Sequence, residues 1–390
     1  MSGVAEWILE NKDKIEKGVE ILGKGCEILA VTVGQFNPIL EAVFMVSAEL
    51  LGNPEGNEAK YLADQFESVN QKLEKVQGEI EKTQLVLQRS SLNIENFTFY
   101  TQIINQYEMF KYIFTAKPKF KKLKIDEFLE FFEEYEGEKN LDCLYDAFTR
   151  ENSSGDAMLD TILATEQRSR RAVEEFCASM KKVFVVGIVA LMGYAALKEG
   201  TVEEDMVKKW QDRMEEVEKR MKAAVDECVD NFPAQAKIDI NQKLTERQSS
   251  VDPEFTKFIL DALVKKYDWV SWSVRVFKDD DSRLGRFLFG KRRHINGGDN
   301  YFDFLSNNKI RIVVSFTADP KPLNKSQIND EIEEKKGDMK SMAESLCRSF
   351  PNCHVHAVSR ANRVEEANNF NPEHFYYIHH KKADICIHSE

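Results

Sequence analysis

The sequence predicts a mainly α protein: an elongated antiparallel long-helix bundle over residues 1–250, joined to a small C-terminal α+β domain over residues 251–390. Three observations predict it. Proline is scarce up to residue 250, where only Pro38, Pro54, Pro118 and Pro233 occur, so long helices meet few breaks. A heptad stripe runs through residues 58–116. Leu62, Phe66, Val69, Leu73, Val76, Ile80, Leu87, Ile94 and Phe97 step by three and four, with Thr83 and Ser90 in the polar slots of the same series. After Val251 the chain turns to alternating β-branched and aromatic runs, which read as strands.

The elements follow in order. Residues 5–52 give two shorter helices around the turn Gly34–Pro38. A helix over 58–116 would reach roughly 85 Å at about 1.5 Å per residue, and so needs long partners beside it. Small helices near 123–135 and 139–149 lie between long ones. Residues 156–199 and 202–231 supply the partners, the second opened by a Thr201–Glu204 capping box after Gly200. A helix over Pro253–Lys266 precedes strands at 269–276 and 310–316. A helix at 327–349 and strands at 354–358, 375–379 and 383–388 complete an α+β order.

Composition limits the function. A net charge of -12 with 31% charged residues excludes a general nucleic-acid binder, which needs a basic surface. The cysteines Cys26, Cys143, Cys177, Cys228, Cys347, Cys353 and Cys386 are scattered, with no CxxC pair. They read as structural thiols of a reducing compartment, although the nearness of Cys347 to Cys353 leaves their pairing open. Glu6, Glu10 and Asp13 interrupt the N-terminal stretch, so no signal peptide is expected. The expected location is cytoplasmic, with peripheral membrane association as its extension.

That extension rests on two apolar segments. The first is KVFVVGIVALMGYAALKE, residues 182–199. Its membrane-segment candidates are Val183, Phe184, Val185, Val186, Gly187, Ile188, Val189, Leu191, Met192, Gly193, Tyr194 and Leu197. A single span needs about 20 apolar residues, so the segment is short for an anchor. The second lies at 28–46, with candidates Ile39, Leu40, Val43 and Phe44. One reading makes both segments core, since a helix apolar on every side is a buried helix. The other makes them a concealed hairpin released at a membrane. Basic residues add anionic-surface candidates: Lys117, Lys119, Lys121, Lys122 and Lys124, and, further on, Lys291, Arg292 and Arg293. Such clusters suit lipid headgroups or simply form solvated turns.

Positive signs of catalysis are absent. GRFLFGKR at 285–292 nearly matches a phosphate loop, but Arg292 replaces the hydroxyl residue, and Phe287, Leu288 and Phe289 ill suit a loop that wraps phosphate. His354 and His356 alternate on one strand face, near His379, His380, Cys386 and His388, yet no spacing matches a zinc pattern. No enzyme activity, metal or cofactor is expected.

Several stretches carry a family resemblance: VGQFNPILEA (33–42), AKPKF (116–120), KNLDCLYDAF (139–148), SRRAVEEFC (169–177) and KKVFVVGIVALMGYAAL (181–197). In this order they resemble the fish rapunzel proteins, and cephalotoxin-like proteins share the same helical region. The resemblance covers most of residues 1–200. It implies a non-enzymatic protein linked to skeletal and fin development, innate immune signalling among relatives, and a toxin association. The expected bundle also resembles the soluble form of α-helical pore-forming toxins, a likeness of fold alone. Two functions are therefore expected as alternatives. One is membrane association or pore formation through the concealed segment. The other is a cytosolic scaffold whose heptad helix 58–116 binds a protein partner or a second copy.

Overall fold

A computed structural model describes residues 94–149, 158–200, 202–279, 294–334, 338–360 and 362–390, together with Asp13, Ser68 and Gln71. The chain is mainly helical with C-terminal antiparallel sheets, and it divides into two units, residues 1–230 and 231–390. The division falls twenty residues before the expected boundary. The helix that follows it, Phe232–Glu246, packs with the sheet region, because Phe232, Ala236 and Ile240 join the core beneath Trp272 and Phe316.

The described helices of the first unit are α1 (Ile94–Thr115), α2 (Lys121–Glu134), α3 (Gly137–Thr149), α4 (Met158–Thr165), α5 (Arg170–Glu199) and α6 (Glu204–Asp230). α1 is the described end of the expected helix 58–116. The rest of that helix, bar Ser68 and Gln71, and the segment 28–46 lie outside the described residues. The expected helix 156–199 is two helices. Gln167 and Arg168 take positive φ of 49° and 53°, which no helix continues through. α5 ends at Gly200, whose φ of 82° closes the helix in the left-handed conformation.

α5 is the spine of this unit, with α1, α2, α3 and α6 against it. Its two inner glycines let neighbours come close. A methyl at Gly187 would stand 2.7 Å from Leu141 and 2.9 Å from Ile103, and one at Gly193 would run into the Phe110 ring. Phe110 in turn packs on Phe128 at 5.2 Å, and Phe128 on Phe132 at 5.7 Å.

In the second unit, α7 (Phe232–Glu246) and α8 (Pro253–Lys266) precede β1 (Ser271–Lys278), β2 (His294–Gly297), β3 (Tyr301–Leu305) and β4 (Ile310–Thr317). Then come α9 (Lys325–Glu334), α10 (Met339–Ser349), β5 (Cys353–Ser359), β6 (Val364–Asn368), β7 (Phe375–His379) and β8 (Ala383–Ser389). α8 matches its expected span end to end. Asp252 caps it by accepting from the Phe255 amide at 2.8 Å, and Pro253 opens its first turn. The expected helix 327–349 is divided: Asp338 caps a second helix by accepting from the Ser341 amide. β2, β3 and β6 were not expected from the sequence. β2 and β6 are edge strands that pair with distant partners, and β3 is an edge strand in a hairpin with β4.

The strands form two antiparallel sheets, ordered β3-β4-β1-β6 and β2-β5-β8-β7. Alternation sorts each sheet into two faces. Trp272, Val274 and Val276 turn toward α7 and α8, and Val355, Ala357, Ile385 and Ile387 toward α9 and α10. The opposite faces meet each other, giving a helix–sheet–sheet–helix stack. That inner seam carries a polar set, with Ser273, Arg275, Ser315, His354, His356 and His388 all buried in it beside the apolar cluster of Phe277, Val313 and Val358.

The Gly193 contact yields a test of sign. Helix propensity alone makes Gly→Ala stabilising by about 1 kcal/mol, whereas overpacking costs about 1–3 kcal/mol. Phe110 is fully buried and packs on Phe128, so displacing its ring disturbs that contact. Gly193→Ala is therefore expected to lower stability, by about 1 kcal/mol, in urea unfolding followed by circular dichroism. A rise in the midpoint would show that the helices are not in close contact here.

Candidate functional site

Two places in the first unit bear on function: the apolar helix and a basic corner. Every residue of α5 from Val183 to Gly193 is buried, while Tyr194 and Leu197 are half-buried. Among the described residues α5 is the one helix long and apolar enough to cross a membrane, by length and composition alone, and 78% of its apolar window is inside the protein. A core helix passes the same test. The candidates Ile39, Leu40, Val43 and Phe44 lie outside the described residues.

The C-terminal end of α5 is clasped to α2. The Tyr194 ring stacks on Phe132 at 4.5 Å. Tyr194 Oη and Lys198 Nζ both donate to Glu133 Oε1 at 2.6 Å. The Lys198 hydrogen bond holds the Glu133 carboxyl below its usual range. Beside this clasp is a surface hollow of about 350 Å³ whose walls include Glu136, Glu138 and Asp142. Those carboxylates are already occupied: Glu136 by Lys139, Glu138 by Lys209, and Asp142 by Arg213.

The second place is the corner where α1 passes into α2 through a short 3₁₀ turn, Pro118–Phe120. Here Lys117, Lys119 and Lys122 are exposed, and Lys121 and Lys124 are half-buried. Lys124 pairs with Glu127 at 2.6 Å. Burial lowers the pKa of Lys121. Among the described residues, Lys117, Lys119 and Lys122 meet no carboxylate. Three large apolar side chains are exposed at the same corner: Tyr112 at 46%, Phe120 at 45% and Leu123 at 52%. The start of α2 opposes ordinary helix chemistry. Phe120 at its N-cap gives no side-chain cap, and its first turn has no acidic residue. Instead it carries Lys121, Lys122 and Lys124 at the positive end of the helix dipole, where cations are unfavourable. An anion at this corner would meet the positive end of the helix dipole and lysines together.

The sequence drew attention to the lysines but not to Tyr112, Phe120 and Leu123. Apolar residues interleaved with lysines over 117–124 were the available signal. The Glu133–Lys198 clasp had none, since its partners are 65 residues apart. Lys291, Arg292 and Arg293 lie outside the described residues, as does the whole phosphate-loop-like stretch 285–292. Cys347 and Cys353 are free thiols. Burial pushes the Cys177 thiol up to about 12, which suits a structural cysteine. Among the described residues no group of three or more His, Cys, Asp or Glu could hold a metal ion.

Comparison with known proteins bears on the helical part. A family profile described as the cephalotoxin-like middle helical domain matches residues 52–250, just over half of the chain. The chain belongs to the cephalotoxin-like family. It is also similar to protein rapunzel of Danio rerio, at 22% identity over 222 residues, covering 57% of this chain and 97% of that protein. Neither description is that of an enzyme. No solved structure matches the chain. The cephalotoxin-like region therefore contains α1 to α7, and with them both the apolar helix and the basic corner.

Burial makes a charge in α5 costly. Val189 is 3% exposed, so Val189→Glu places an unpaired carboxylate in the core. The expected loss is about 4 kcal/mol or more, seen as a collapse of the thermal transition. A variant of native stability would show that α5 leaves the core readily.

Proposed function

We propose that this cephalotoxin-like protein is a non-enzymatic, peripheral membrane-associating protein that docks on anionic bilayers through the α1–α2 corner. The observation that carries the reading is the composition of that corner. Lys117, Lys119 and Lys122, which meet no carboxylate among the described residues, lie around exposed Phe120 and Leu123 at a helix start with no side-chain cap. Such a violation of local helix preference is expected where function demands it. Exposed aromatic and aliphatic groups enter the interfacial layer while lysines meet headgroups, each basic residue contributing about 1 kcal/mol near the surface. The cytoplasmic leaflet is the anionic surface at hand, in keeping with the expected location. The rapunzel resemblance makes skeletal or fin development, or innate immune signalling, the setting.

In this reading α5 holds the unit together and the corner makes contact. Pore formation asks more: the Glu133–Lys198 clasp must open and α5 must leave a full set of packing neighbours. The toxin-like bundle belongs to that stronger version.

The test is co-sedimentation with neutral vesicles and with vesicles containing phosphatidylserine, run beside dye release. Wild type is expected to bind only the anionic vesicles, with affinity falling as salt rises. Each of Lys117→Ala, Lys119→Ala and Lys122→Ala should weaken binding about fivefold, on about 1 kcal/mol per charge. Phe120→Ser with Leu123→Ser should weaken it further at unchanged stability. Binding without leakage fits docking alone, and binding with leakage supports release of α5. Failure to bind either vesicle would overturn the reading and leave a protein partner for the corner.

A further inference from the structure

The seam between the two sheets of the second unit holds an unusual set of buried groups. His354 and His356 project from β5 and His388 from β8, with His354 paired opposite His388 in the ladder. The rings of His354 and His388 stack at 5.1 Å. His354 and His356 are 0% and 1% exposed, and neither ring nitrogen of either residue has a hydrogen-bond partner. His388 is bonded at both nitrogens, Nδ1 to the Ser389 carbonyl at 2.8 Å and Nε2 to Ser315 Oγ at 2.7 Å.

The charged and titratable groups facing them come from every neighbouring strand. From β1 comes Arg275, whose guanidinium donates to Ser273, to Ser315 Oγ at 2.8 Å and to Cys386 Sγ at 2.6 Å. Among the described residues it donates to no carboxylate. From β2, His294 stands edge-on to His356 at 5.6 Å, and from β3, Tyr301 lies 5.4 Å from His354. Arg311 of β4 is held by Asp279 and Asp303. Glu366 of β6 accepts from Ser273 and Asn368, and Tyr377 of β7 is partly buried nearby. Asp384 of β8 is bonded to His379 at 2.7 Å. Glu390, past β8, accepts from the amides of Asp299 and Asn300. The acids at the seam thus have bonded partners, while the permanent charge beside the imidazoles is the cation Arg275.

We propose that this sheet pair is an acid-opened clasp, closed while His354, His356 and His388 are uncharged and parted when mildly acidic surroundings place protons on them. One seam carboxylate, Glu366, stands opposite Arg275 in the ladder, which leaves three imidazolium ions in a closed seam without a counter-charge of their own. Desolvation, first, and Arg275 hold His354 and His356 well below the usual imidazole range, and desolvation lowers His388 to about 3. The sign follows. The open chain takes up protons near the ordinary value of about 6.5 while the closed one does not. The closed form is therefore at full strength above that value and weakens as pH falls through it. Each imidazole lowers the closing constant about tenfold between pH 7.5 and 5.5, and the three together about a thousandfold. Burial raises the Glu366 carboxyl, which favours the closed form as pH falls and so opposes the imidazoles; exposed carboxylates stay largely ionised over this interval. All seven histidines lie at position 294 or later, so the first unit has no imidazole to respond and serves as an internal control.

The experiment is hydrogen–deuterium exchange of the full chain at pH 7.5 and 5.5, corrected for the intrinsic exchange rate and read by peptide. Wild type is expected to lose protection in β1, β5 and β8 by up to about a thousandfold, with α5 little changed. His354→Leu with His356→Leu leaves His388 alone of the three seam rings, so the loss should shrink to about tenfold. An equal loss in α5, or the same loss in the variant as in wild type, would overturn the proposal. Should the variant not fold, the wild-type imidazole proton resonances decide. Three rings that stay neutral to below pH 5.5 while the unit is folded support it, and rings that titrate near 6.5 in the folded unit sink it.

Discussion

A helix with no polar face has to be surrounded, and the first unit is arranged around that constraint. α5 buries Val183 to Gly193 on all sides, and α1, α2, α3 and α6 supply the walls. Gly187 and Gly193 let Leu141, Ile103 and Phe110 reach its backbone. From Phe110 the packing continues through Phe128 and Phe132 to Tyr194. Moving α5 therefore disturbs all four neighbouring helices, which is why the composition of a membrane span here coexists with the position of a core.

The second unit solves the opposite problem. Its sheets are apolar on the outside of the pair, where helices cover them, and carry a polar set beside a small apolar cluster on the inside, where they face each other. A buried polar seam is costly unless its groups are bonded. Ser273, Ser315 and Cys386 meet that need for Arg275, but His354 and His356 go without.

Much of this architecture was legible in the sequence where the signal was local. Asp252, Pro253 and the closing lysines define α8 to the residue, and alternation places β1, β4, β5, β7 and β8. Nonlocal features were not legible. β2 and β6 take their places by pairing with β5 and β1 far along the chain. The break at Gln167–Arg168 depends on two left-handed residues without glycine, which no composition signal marks. The corner was half legible: the lysines could be read, but exposure of Phe120 and Leu123 is a property of packing, since apolar residues in a helix normally indicate the buried face.

α7 separates two kinds of boundary. By inherited sequence it closes the cephalotoxin-like region, which runs to residue 250. By packing it opens the second unit, beginning at Asn231. Phe232 touches Tyr267, Trp272 and Phe316 at 6.2, 5.8 and 5.2 Å, so its aromatic partners all come from beyond the inherited segment. The seam of ancestry and the seam of mechanics are thus twenty residues out of step. A cut at the ancestral seam would strand the apolar face of α7 on one side and uncover part of a sheet on the other.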